Sequence, residues 1–277
     1  MINGNTSLIA HIGWPTGAFR APMIYNPYFE HEGINAVVVP MGCQAQNFAA
    51  FLPALFTLEN VRGALITMPH KVSTVALLDE MSPTVSIAGS CNAVRRNEQG
   101  RLVGDMFDGE GFVRGLISKG CTTTGKRALV VGAGGVGSAI AASLAAARVD
   151  AIALYDERVD TARALAQRLT AHYPKLEVST EHNDPAGFDI VVNATPLGMN
   201  DGDPMPMDVS RIAPETFVGE VVMKREMTAF LSAAMARGCR FQIGLDMLFE
   251  QIPAYLEFFG LPTTTPQVLR DVSRVSY

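Results

Sequence analysis

Residues Arg127-Ala-Leu-Val-Val-Gly-Ala-Gly-Gly-Val-Gly137 run from a short apolar stretch straight into Gly132-x-Gly134-x-x-Gly137. Ser138-Ala-Ile-Ala-Ala-Ser-Leu-Ala-Ala-Ala follows at once with helix-forming composition. Strand, glycine turn and helix in that order commit the middle of the chain to an α/β arrangement and to a dinucleotide phosphate site. One glycine takes the tight turn, the second leaves the backbone bare beside a pyrophosphate, and the third lets helix close on strand. The helix N-terminus then offers free N–H groups and the positive end of its dipole to the phosphates, with Gly135 and Val136 of the loop among the cofactor-binding residues. Glycines also mark ordinary turns, so the motif needs support. A second apolar run, Ala151-Ile-Ala-Leu-Tyr155, supplies it by ending in Asp156. A carboxylate there accepts hydrogen bonds from the adenosine ribose hydroxyls and repels a 2′-phosphate, which favours NAD over NADP. Asp156 also suits the N-cap of the next helix, and Arg158 is the residue type that partners a 2′-phosphate. NAD is expected, with NADP as the alternative.

Before this motif the chain alternates strand-like and helix-like runs. Ser7–Ile12, Ala36–Pro40 and Gly63–Thr67 read as strands, and Ala45–Leu55 and Lys71–Leu78 as helices. Residues 92–96 and 101–105 read as a strand pair around the Asn97–Gly100 turn. Gly111–Lys119 reads as a connecting helix and Gly120–Gly125 as a linker. Beyond the motif, Asp189–Asn193, Phe217–Val222 and Phe241–Ile243 read as strands. The tail from Asp246 carries Met247, Leu248, Ile252, Tyr255, Leu256 and Phe259 on a helical period. Such alternation requires a mainly parallel sheet covered by helices on both faces.

Composition narrows the function classes. With 48% hydrophobic and 18% charged residues in 277, the chain is globular rather than disordered. A net charge of −5 argues against a nucleic-acid partner. No apolar stretch reaches the roughly 18–20 residues that span a bilayer, so no membrane partner is expected. No basic region followed by an apolar one opens the chain, and a cytoplasmic location is the expectation. Cys43, Cys91, Cys121 and Cys239 show no CxxC spacing, so no metal is expected.

Thr67-Met-Pro-His-Lys71, Gly89-Ser-Cys-Asn92, Asp108-Gly-Glu-Gly111, Asn193-Ala-Thr-Pro-Leu-Gly-Met199 and Gly244-Leu-Asp-Met-Leu-Phe-Glu-Gln251 occur in this order around the glycine motif. In order and spacing they resemble the shikimate/quinate dehydrogenase family, over nearly the whole chain. The resemblance implies an α/β fold with an N-terminal substrate domain (1–112) built on a mainly parallel sheet. A Rossmann-like, doubly wound NAD-binding domain (113–245) follows, and C-terminal helices (246–277) return to the first domain. The active site is then expected in the cleft between domains. The resemblance further implies an alcohol dehydrogenase in which Lys71 and Asp108 form the catalytic pair. Taken alone, Lys71 reads rather as a solvated residue and Asp108 as a helix cap. Thr67, Asn92 and Gln251 match positions that hydrogen-bond the hydroxyls of a cyclic substrate, which suits their donor and acceptor groups. Asn193, Thr195, Pro196, Leu197, Val221, Gly244, Met247 and Leu248 match the segments beside the ribose and nicotinamide. His70 is expected to pack or cap locally. A monomer or homodimer is expected.

The departures from the family pattern concern the substrate and, at Met223, the neighbourhood of the nicotinamide. Two serines that bind a carboxylate in the family correspond to Phe19 and Ala21 in Ala18-Phe-Arg-Ala-Pro22. Arg20 could supply a bidentate carboxylate contact in their place. Leu65, Met106, Phe107 and Met223 likewise replace polar or aromatic residues, pointing to a less polar pocket and a different hydroxylated substrate. The competing reading is a non-catalytic NAD-binding regulatory protein with the same fold.

Overall fold

The computed structural model describes residues 2–275. They form two compact units, one from the first 107 residues together with the chain beyond residue 251, the other from residues 108–251.

The first unit contains β1 (Ser7–Gly13), α1 (Pro22–His31), β2 (Ala36–Gly42), α2 (Ala45–Leu55), β3 (Val61–Ile66), β4 (Glu80–Met81), α3 (Pro83–Ala88), β5 (Ala93–Arg96) and β6 (Leu102–Asp105). Its sheet runs β2-β1-β3-β5-β6-β4. β1 is parallel to both β2 and β3, while β5 is antiparallel to β3 and β6. The β5–β6 turn closes as the sequence requires. Asn97 Oδ1 accepts the Gln99 and Arg101 N–H groups at 3.1 and 2.9 Å, a side-chain substitute for a backbone turn. Ile9, Ala10 and Ile12 of β1 are fully buried.

The second unit opens with α4 (Asp108–Ser118), followed by β7 (Arg127–Val131), α5 (Gly135–Ala146), β8 (Ala151–Tyr155), α6 (Val159–His172), β9 (Glu177–Ser179), β10 (Ile190–Asn193), β11 (Phe217–Glu220), α7 (Ala229–Ala236) and β12 (Phe241–Gln242). α8 (Gly244–Phe258) begins in this unit and ends in the first, where α9 (Pro266–Val272) completes the chain. The second sheet is parallel throughout, in the order β12-β11-β10-β7-β8-β9. α5 is apolar on nearly every side, and its residues 137–145 are buried, as a helix packed between layers must be. The architecture is the expected α/β one with two mainly parallel sheets.

Local expectations needed correction where side chains compete with the backbone. Residues 71–78 are turns and a single 3₁₀ segment, Val75–Leu77, rather than a helix. Ser73 and Thr74 hydroxyls both donate to the His70 carbonyl, and the run Val72-Ser-Thr-Val75 is poor in helix formers. The helix expected from Gly111 starts three residues earlier, so Asp108 lies in its first turn. β11 stops at Glu220, and β12 stops at Gln242, after which Asp246 Oδ2 in the first turn of α8 accepts the Ile243 N–H at 3.0 Å.

Candidate active site

In the second unit the glycine loop joins β7 to α5 at the carboxyl end of the parallel sheet, where open α/β sheets bind ligands. Gly132 has φ +101°, a left-handed conformation that disfavours any Cβ. A Cβ at Gly137 would lie 1.9 Å from the Gly132 carbonyl oxygen, so helix and loop touch through backbone alone. Gly134 is the α5 N-cap, lacks a side-chain cap and has nothing within 4 Å of its Cβ position. The N–H groups of the first turn therefore meet open space that suits a diphosphate. Gly137→Ala is expected to cost about 1–3 kcal/mol or more through overpacking, seen as a lower melting temperature. Gly134→Ala should leave melting unchanged and weaken nucleotide binding alone. Equal melting losses in the two variants would refute this division of labour.

Asp156 ties the loop to β8. Its Oδ2 accepts the Ala133 N–H at 2.8 Å, and its Oδ1 accepts the Arg158 N–H at 2.9 Å. Arg158, not Asp156, is the N-cap of α6, and its exposed guanidinium stands 3.5 Å from Asp156 Oδ1. Each carboxylate oxygen keeps a lone pair for a further donor. Asn193 is fully buried at the end of β10, and its amide serves both the loop after it and Glu220. Oδ1 accepts from Thr195 N and Oγ1 at 3.1 and 2.6 Å, and Nδ2 donates to the Leu197 carbonyl at 3.0 Å. Asn193 thus shapes the Thr195-Pro196-Leu197 turn. Glu220, in register with Asn193, is fully buried and takes a 2.9 Å hydrogen bond from the Thr228 hydroxyl. Burial pushes its carboxyl up to about 7, against the opposing pull of hydrogen bonds from Thr228 and Asn193. Val221 follows at the sheet edge, and Gly244 lies so close to the Val222 carbonyl that a Cβ would come within 2.1 Å of it. Met247 is buried and Leu248 half-buried on α8. Gln251 is 5% exposed, and its Oε1 has no hydrogen-bond partner.

In the first unit Thr67, Lys71 and Asn92 converge beyond the carboxyl ends of β1 and β3. Thr67 N donates to the Ile12 carbonyl at 2.9 Å, and Ile66 N to the Asn92 carbonyl at 2.8 Å. The Lys71 carbonyl accepts the Cys91 N–H at 2.8 Å, which seats Lys71 beside Asn92. Its charge is felt by two buried neighbours: it adds to the burial that lowers the His11 pKa, and it weakly opposes the burial that pushes the Cys91 thiol up to about 12. Asn92 Oδ1 accepts the Phe107 N–H at 2.9 Å, fixing the chain one residue before Asp108. Asp108 itself is buried in the first turn of α4, in the second unit. His70 packs locally as expected: its ring stacks on Phe48 at 4.0 Å, and Nε2 bonds the Cys43 carbonyl at 2.7 Å. Arg20 is half-buried, just ahead of α1.

The family model for the shikimate dehydrogenase substrate binding domain matches residues 12–94, and that for shikimate/quinate 5-dehydrogenase matches residues 116–197. The chain belongs to the shikimate dehydrogenase family. It is an oxidoreductase of that family, whose members bind nicotinamide cofactors. The shikimate dehydrogenase (NADP(+)) of Rubrobacter xylanophilus is 33% identical, over 98% of this chain and 97% of its own. A shikimate 5-dehydrogenase from Listeria monocytogenes, solved with shikimate and NAD, superposes with a TM-score of 0.91 at 25% identity, covering 98% of this chain and 97% of that one. A 5-ketofructose reductase from a Gluconobacter strain superposes with a TM-score of 0.89 at 25% identity, covering 98% of both chains.

Within this shikimate dehydrogenase-family protein the apolar departures are not equivalent. Met106 and Phe107 are buried at 1% and 6%, and Phe107 packs on Tyr255 and Phe258 at 4.8 and 5.5 Å between centroids. Leu65 is 5% exposed in β3. These three fill the core of the first unit. Phe19 and Met223 are the ones that remain half-exposed. Two residues went unnoticed in the sequence: His11, a lone histidine in an apolar strand, and Glu220, whose strand-end position gave no sign of its complete burial. Among the described residues no helix is long and apolar enough to cross a membrane.

Proposed function

We propose that this protein catalyses reversible hydride transfer between a ring hydroxyl of a shikimate- or quinate-like compound and a nicotinamide, with NAD preferred over NADP. The observation that carries the reading is the placement of Lys71, anchored through its carbonyl to Cys91 and flanked by Thr67 and Asn92. Oxidation of a secondary alcohol needs a group to take the hydroxyl proton, and reduction needs one to return it. Lys71 is assigned that role, and Asp108 the role of the carboxylate that orients it. Thr67, Asn92, Gln251 and Arg20 are assigned to the substrate oxygens; the unpartnered Gln251 Oε1 supports its place in that set. The nicotinamide supplies the hydride acceptor when bound. Gly132, Gly134, Gly135, Val136 and Gly137 fit its diphosphate, and Asp156 and Arg158 the adenosine ribose. Thr195, Pro196, Leu197, Val221, Gly244, Met247 and Leu248 line the nicotinamide end, with Asn193 holding the turn.

Relatives named for NADP make the nucleotide preference the first thing to measure. Asp156→Asn keeps an oxygen for the Ala133 N–H while removing the charge. NAD affinity is expected to fall about tenfold, the worth of one charged hydrogen bond, and NADP affinity to rise. Titration of both nucleotides against both proteins checks this. If neither affinity moves, Asp156 does not choose the cofactor.

Turnover should be screened with shikimate, quinate and keto sugars, the last because of the likeness to a 5-ketofructose reductase. Phe19 and Ala21 favour one second reading, a nucleotide-binding regulator that has lost its substrate. Tight nucleotide binding with no turnover of any of these compounds would support it.

A further inference from the structure

β1 is apolar from Leu8 to Ile12 except at His11, which is 9% exposed. Its ring stacks on Phe19 with centroids 4.1 Å apart and planes 29° from parallel. The Phe19 ring and the Thr67 methyl close over Gly13 together, since a Cβ there would lie 2.8 Å from Phe19 Cζ and 2.5 Å from Thr67 Cγ2. His11, Phe19 and Thr67 are therefore one contiguous surface, and the Lys71 charge is felt on it. Burial first, and that charge second, lower the His11 pKa to about 4, so the imidazole is neutral under ordinary conditions. His11 Nδ1 is buried without a hydrogen-bond partner. A bare lone pair is tolerated there more cheaply than an orphaned N–H, which puts the ring proton on Nε2 as a donor. A histidine left unsatisfied in an apolar strand is destabilising where valine would not be, a cost that contact with a ligand would offset.

We propose that His11 and Phe19 form a substrate subsite for an uncharged, hydroxylated carbon face, so that the substrate is a polyhydroxylated alcohol or ketone with no carboxylate at that end. A neutral imidazole and an aromatic face offer hydrogen bonding and apolar contact, and neither is itself a charged partner for a carboxylate. Ala21, 7% exposed, adds no donor. The inference rests on the assignment of Lys71 as the proton-transferring group, which sets this surface beside the reacting carbon.

The test compares shikimate with its analogue carrying hydroxymethyl in place of the carboxylate, with both nucleotides. The wild-type kcat/KM is expected to be at least tenfold higher for the analogue. His11→Val should lower that value about tenfold through KM and the shikimate value by clearly less, and His11→Gln should restore most of the loss. Phe19→Ser with Ala21→Ser should move the preference towards shikimate. Wild-type preference for shikimate overturns the inference while hydride transfer stands, and passes the carboxylate to Arg20. Equal losses on both compounds in His11→Val, with Gln no better than Val, reduce His11 to packing. Turnover of neither compound overturns the hydride-transfer reading and this inference together.

Discussion

Lys71→Met is expected to lower kcat by about 10²–10⁴-fold, the usual contribution of a positioned general acid–base group, with KM changed far less. Methionine keeps the length and apolar body of the lysine stem but can neither accept nor return a proton. The fold around it should survive. The Lys71 carbonyl still accepts the Cys91 N–H, and His70 remains stacked on Phe48 and bonded to Cys43. Nucleotide affinity should be unchanged, because the glycine loop and Asp156 lie in the other unit. Asp108→Asn should also lower kcat, by less, since an amide can still hydrogen-bond but no longer favours an ammonium. Steady-state kinetics together with nucleotide titration separate the possibilities. An unchanged kcat in Lys71→Met would remove the catalytic reading, and the regulator reading expects indifference to both substitutions.

What the sequence disclosed and what it hid divide along a physical line. The glycine loop was legible because its chemistry is local: a positive φ at Gly132 and contact without a Cβ at Gly137 both follow from residue type and spacing. The β5–β6 turn was legible for the same reason, through Asn97 and Gly100. α1 was not, because Pro27 stands inside it and its apolar residues follow no clear stripe. The helix expected over 71–78 failed because the hydroxyls of Ser73 and Thr74 bond the His70 carbonyl. Asp156 was read for its charge, but its grip on Ala133 depends on β7 and β8 lying side by side. His11 reads as core in any apolar strand until Phe19 and Lys71 are brought to it from distant positions. The buried setting of Glu220 is equally non-local, needing the register of β10 with β11 and the return of Thr228.

Glu220→Gln is expected to be more stable than the wild type above pH 7 and nearly equal to it near pH 5. The Glu220 carboxyl is fully buried, and its pKa is raised from 4.5 to about 7. A raised acid pKa means that the folded state holds the proton while the unfolded chain has released it. Stability therefore falls as pH rises from about 4.5, and the penalty is complete once pH passes about 7. A shift of that size corresponds to about 3 kcal/mol, or on the order of 5–10 °C in melting temperature for a unit of this length. Glutamine removes the ionisation and keeps an oxygen for the Thr228 hydroxyl, which also accepts the Leu231 N–H and caps α7. Melting curves of both proteins from pH 5 to 8.5 should diverge with rising pH, the wild type falling below the variant. Parallel curves would show that Glu220 ionises without penalty. A variant that is less stable at every pH would show instead that its carboxyl is worth more to the fold than burial costs it.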